Sequence, residues 1–155
     1  MSETDVKSRL RAAMTAAMKT REELALGALR QTLSEIAVVE TAGDEVAVLS
    51  DEQVLAVIAI EVRKHHETAD AFVTAGRAEQ AARSRAEAAV LEAYLPAALS
   101  DDELHQIIGE EVAAASAAGA EGMKAMGRVV AAVRAKAGPT ADGAKIAAAV
   151  KAALA

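Results

Sequence analysis

Apolar residues recur along this chain at intervals of three and four, the spacing that gathers them on one side of an α-helix. Val6, Leu10, Met14 and Ala17 make the first stripe, Leu26, Leu29, Leu33 and Ile36 the second, and Leu55, Ile58, Val62 and Phe72 the third. Val57 and Ile60 add a second apolar side to the start of the third helix, which predicts a central place for it. A fourth helix is expected over about 77–93, with Ala82, Ala86, Ala89 and Val90 facing inward. Leu104, Ile107, Ile108 and Val112 mark a fifth, from Asp101 to about Ala117. Met123, Met126, Val129, Val130, Val133 and Ala137 mark a sixth, and Ile146, Val150 and Leu154 a short seventh. The chain shows neither a strand pattern nor an internal repeat.

Polar punctuation separates these stripes. Thr20, Ser50 and Ser100 are each followed three residues later by Glu23, Gln53 and Glu103, the spacing of a capping box. Residues 41–45 read as an acidic loop, Gly76 as a helix stop, Gly119 and Gly122 as a break, and Gly138-Pro139 as the end of the sixth helix. Within Tyr94 to Leu104 a helix stop, a proline and a fresh cap fall together. Leu95-Pro96 therefore reads as a hinge and Tyr94 as an anchor of one bundle against the next. The expected architecture is all-α: an N-terminal bundle of about four helices over 1–96, then a compact three-helix domain over 97–155.

Composition sharpens this picture. Of the 155 residues 53% are hydrophobic, but 42 are alanine, and there is one Phe, one Tyr and no Trp. Alanine favours helix and a thin aliphatic core, whereas a sheet wants β-branched and aromatic residues. Without cysteine there is no disulfide and no thiolate metal site. The acidic N-terminus and the short longest apolar run, Val54 to Ile60, lead us to expect a soluble cytoplasmic protein without a signal or membrane segment. The net charge of −6 is unevenly spread: residues 1–122 carry 11 Lys and Arg against 22 Asp and Glu, and residues 123–155 carry 6 against one.

Few residues invite chemistry. His65 and His66 are neighbours on a helix, about 100° apart, so they cannot share an ion; Glu61 with His65 and His66 with Asp70 offer only two ligands each, and His105 stands alone. Asp101-Asp102 and Glu110-Glu111 are expected on a solvent-facing helix side, where nothing shifts their pKa. Met14, Met18, Met123 and Met126 read as core filler. No phosphate loop, nucleophile elbow or catalytic triad is present, so no catalytic residue, cofactor or metal is assigned. The remaining feature is a set of cations, Lys124 and Arg128 one turn apart and opposite the apolar stripe, with Arg134, Lys136, Lys145 and Lys151. Such a surface suits a phosphate backbone, and without aromatic residues to stack bases it would read shape and charge.

Tyr94-Leu95-Pro96, Leu99 to Leu104, Met126-Gly127-Arg128 with Val129-Val130, and Asp142-Gly143 follow one another in an order that resembles the GatB/YqeY-like proteins. Leu29-Arg30, Leu49 to Val54 and Ala75-Gly76-Arg77 fit the same pattern. These are free-standing relatives of the C-terminal helical and tail regions of the B subunit of glutamine-dependent tRNA amidotransferases. The resemblance implies a helical domain followed by a three-helix tail that contacts the elbow side of tRNA or a tRNA-handling complex. In it Gly127 would permit close helix packing and Arg128 would meet phosphate. Carbon-nitrogen ligase activity with glutamine as amido donor belongs to the fused relatives. Where relatives show Gly-Arg-Ala-Asp-Gly, this chain reads Gly138-Pro139-Thr140-Ala141-Asp142-Gly143, one residue longer and without the arginine. The competing reading is a protein-interaction adaptor that uses the acidic N-terminal bundle and leaves RNA untouched.

Overall fold

The computed structural model describes residues 5–138 and 140–155, and every regular element among them is helical. The helices are α1 (Val6–Thr20), α2 (Glu23–Glu40), α3 (Asp51–Thr74), α4 (Ala78–Glu92), α5 (Asp101–Ala117), α6 (Met126–Ala137) and α7 (Gly143–Leu154), with a 3₁₀ turn over Gly122–Ala125 leading into α6. They fall into two compact units, one ending at Pro96 and the other starting at Ala97. None of the described helices is long and apolar enough to cross a membrane.

In the first unit Leu10, Leu29, Ile36, Val54, Ile58 and Leu91 form the centre of one aliphatic core, all 2% exposed or less. Helix α3 packs on α1, α2 and α4, and Ile60 on its outer side is half exposed. Its partner α4 buries Ala81, Ser84, Ala88 and Leu91 rather than the expected Ala82, Ala86 and Ala89, which lie in solvent; Val90 is partly covered. An alanine-rich helix has no bulky side chain to mark its inner face. Here Leu91 sets that face, and Ala81, Ala88 and Ala69 of α3 let the two backbones come close.

Two of the three expected capping boxes are present. Ser50 and Ser100 each accept from the amide three residues on, while Gln53 and Glu103 reach back to the cap amide. The third is not formed. The Thr20 hydroxyl donates to the carbonyl of Ala16 at 3.1 Å, so α1 runs on through it and stops at Arg21 in the left-handed region, φ 57°. Helix α2 then starts after Glu22 with no side-chain cap. Gly76, φ 72°, closes α3 as its position predicts.

The second unit packs Leu104, Ile108, Ala115, Val129, Val133, Ile146 and Val150 into its own core. Its sixth stripe begins later than expected: Met123 lies in the 3₁₀ turn, half exposed, and Met18 of α1 is likewise half exposed, so neither fills a core. Met14 and Met126 do pack on the two cores. Helix α6 ends at Gly138, φ 80°, whereas Pro139 lies outside the described residues.

Candidate nucleic-acid interface

Helix geometry sends the six cations in different directions. Val129, Val133 and Ala137 fix the buried side of α6, so Arg128 points almost directly away from the core, and Lys124 stands one turn earlier in the 3₁₀ turn. Both are exposed and make no ion pair among the described residues. Arg134 lies about 9 Å further along α6 and roughly 120° around it from Arg128. Its guanidinium reaches over Gly143 at the start of α7, filling the space a Cβ there would need. Lys136 turns the other way, to Glu111 of α5 at 2.5 Å. Lys145 of α7 bonds Asp101 at the N-terminus of α5, 2.6 Å away. Lys151 is exposed near the end of α7, again without an ion pair among the described residues.

These contacts change the expected electrostatics. Asp101 and Glu111 were to be free surface acids; instead they tie α5 to α7 and to α6. The hydrogen bond from Lys145 holds the Asp101 carboxyl below its ordinary range, and the same bond raises the Lys145 ammonium. The hydrogen bond to Glu111 raises Lys136 likewise, and the Glu111 side chain is only 15% exposed. The unit is not basic as a whole: residues 97–155 carry six Lys and Arg against seven Asp and Glu, net −1. Its charge is instead divided by helix, acidic on α5 and basic on α6 and α7. Four of the six cations have no carboxylate partner among the described residues: Lys124, Arg128, Arg134 and Lys151.

Lys124 and Arg128 also stand at the wrong end of their helix. The N-terminus of α6 is the positive pole of the helix dipole, and neither it nor the preceding turn has a side-chain cap. Two cations there repel the pole and one another. An anion arriving at that corner relieves both.

The motif residues have separable structural jobs. Tyr94 and Leu95 pack on the core of the first unit, and the Arg9 guanidinium sits 5.3 Å from the centre of the Tyr94 ring. Pro96 is exposed at the unit's end. Met126 packs into the second core. Gly127, expected to permit close helix packing, faces open space: a Cβ there would meet nothing within 4 Å. Asp142 caps α7, accepting from Ala144 N at 2.9 Å and Lys145 N at 3.5 Å. Gly143 beside it makes room for Arg134.

Sequence reasoning missed the polar contacts that α3 makes with α2 and α4. His65 is 93% buried; its Nδ1 lies 3.1 Å from Glu87, while its Nε2 has no partner among the described residues. Glu61, 1% exposed, accepts from Gln31 at 3.2 Å and Lys64 at 2.7 Å. His66 meets Glu92 at 2.6 Å on the surface. The i, i+4 spacing of Glu61 and His65 was the signal, although it indicated one helix face and not the partners across it. Among the described residues no group of three His, Asp or Glu is placed to hold a metal ion.

An all-helical chain with a division into two helical units and a charge-divided C-terminal end is the class that fold and site define. A family model described as "Yqey-like protein" matches residues 7–154, and the chain belongs to that family. No curated protein matches it.

Proposed function

We propose that this chain is a non-catalytic RNA-binding module that docks tRNA, alone or in a tRNA-handling complex, on the outer face of its C-terminal unit. The observation that carries the reading is the Lys124–Arg128 pair, exposed at the positive pole of α6 with no ion pair among the described residues. Arg134 supports it. The turn that lacks the arginine of the relatives has this guanidinium lying over Gly143, and Lys151 adds a further cation on α7. Lys136 and Lys145 serve the fold first, through Glu111 and Asp101. The tRNA itself comes from the resemblance to the amidotransferase tail; the amide-transfer chemistry of those relatives is not part of the proposal. A cytoplasmic setting suits such a role.

The adaptor reading draws on the other unit, where residues 1–96 carry 11 Lys and Arg against 16 Asp and Glu, a field that repels polyanions and attracts basic proteins. Copurification with and without nuclease separates the two. The RNA reading expects association that nuclease abolishes and that Lys124→Glu with Arg128→Glu weakens. A nuclease-resistant protein partner indifferent to that double change contradicts it.

A further inference from the structure

Between α2 and α3, Val46 and Val48 leave 76% and 87% of their surface exposed, more than any other large apolar side chain described. A single exposed valine needs no explanation, but these two belong to a backbone pattern. The Ala47 amide donates to the backbone carbonyl of Glu40 at 2.9 Å, and the Leu49 amide reaches Glu40 Oε1 at 3.5 Å. Amides two residues apart turn to the same residue, the alternation that an extended backbone produces, although no ladder is formed there. Leu49 packs on the core of the unit, and Glu40 is buried with its carboxylate gripped by Lys7 at 2.6 and 2.8 Å. One edge of the segment is thus fastened to α2. The other carries the amides of Val46 and Val48, which make no hydrogen bond among the described residues. Val38 and Val39, 60% and 46% exposed, lie at the same end of α2.

We propose that Val46–Leu49 is a docking edge to which an extended segment of another protein, apolar in the middle and basic at both ends, adds as a β-strand. An open edge with apolar side chains is a template for strand addition: the main chain supplies affinity and the flanks supply selection. The flanks here are acidic, Asp44 and Glu45 before the edge and Asp51 and Glu52 after it, all exposed. A second copy of this chain would set acid against acid in either strand direction, which disfavours self-pairing. The surface does not depend on RNA binding, and reversal of Lys124 and Arg128 leaves it intact.

The test uses the full chain and a short synthetic peptide of alternating Val and Thr with paired lysines at each end. In amide exchange measured by NMR, Ala47 is protected before the peptide is added, and Val46 and Val48 become protected only after. Exchanging the peptide's lysines for glutamates weakens binding about tenfold or more. Val48→Pro removes an amide the fold leaves unused and keeps Ala47 extended, so the variant folds with an unchanged melting curve yet binds at least about tenfold more weakly, while Val48→Thr binds normally. The proposal is overturned if the lysine peptide does not bind, if it binds without protecting Val46 and Val48, or if the glutamate peptide binds equally well. Sedimentation showing a dimer that Val48→Pro dissolves would likewise overturn it, by making the occupant a second copy.

Discussion

Lys124 and Arg128 are placed where the folded chain gains least from them, at the positive end of α6 with no ion pair among the described residues. Replacing both with Glu reverses the sign of the dipole interaction and should raise the stability of the free protein by about 0.3–1 kcal/mol in urea denaturation, while RNA binding falls. A loss of stability would mean that these side chains hold the fold. Gly127 gives a second residue-scale check. Because a Cβ meets open space there, Gly127→Ala should stabilise by roughly 0.5–1 kcal/mol; destabilisation would reinstate the packing role that the motif suggests. The outward direction of Arg128 was legible from the stripe of Met123 to Ala137; Lys124 is exposed too, but in a 3₁₀ turn and not on the helix that the stripe implied. That Lys136 and Lys145 are engaged was not legible, since Glu111 and Asp101 approach them through tertiary packing, which no helical spacing encodes.

Helix α5 is held to its neighbours partly by those two ion pairs, and their response to pH follows from the shifts. Asp101 lies below its ordinary value of 3.8, so its contribution is fully present above that value and is lost as pH falls through the lowered one. Lys136 and Lys145 lie above 10.5, so theirs is present below that value and lost as pH rises through the raised ones. Lys145→Gln should therefore lower the stability of the second unit at pH 7 and lower it by less near pH 2, read from the Val150 methyl signals during urea denaturation. Equal losses at both pH values would mean that Lys145 acts through packing and not through charge. At this scale the stripes and the serine caps located most helices, because bulky residues and hydroxyls leave a periodic trace. The face of α4 was not legible because alanine leaves none, and the Thr20 cap failed because a threonine hydroxyl can bond back into its own helix as well as forward.

For the molecule as a whole, the charge asymmetry along the sequence proved to be a division by helix rather than by unit. The basic stretch 123–155 shares its core with acidic α5, so the C-terminal unit carries net −1 and offers a polyanion only a local cationic corner. That limits how much RNA the proposed interface could hold. With Lys124, Arg128, Arg134 and Lys151 each meeting one phosphate, the logarithm of tRNA affinity should fall with the logarithm of salt concentration at a slope near −3, from about 0.7–0.9 per phosphate contact. The measurement that bears most directly on this account is that salt titration, made on the unaltered protein and on the Lys124→Glu, Arg128→Glu pair. We expect binding at about 50 mM salt and a slope shallower by roughly 1.5 in the variant; no binding at that salt concentration, or two identical slopes, would contradict the account.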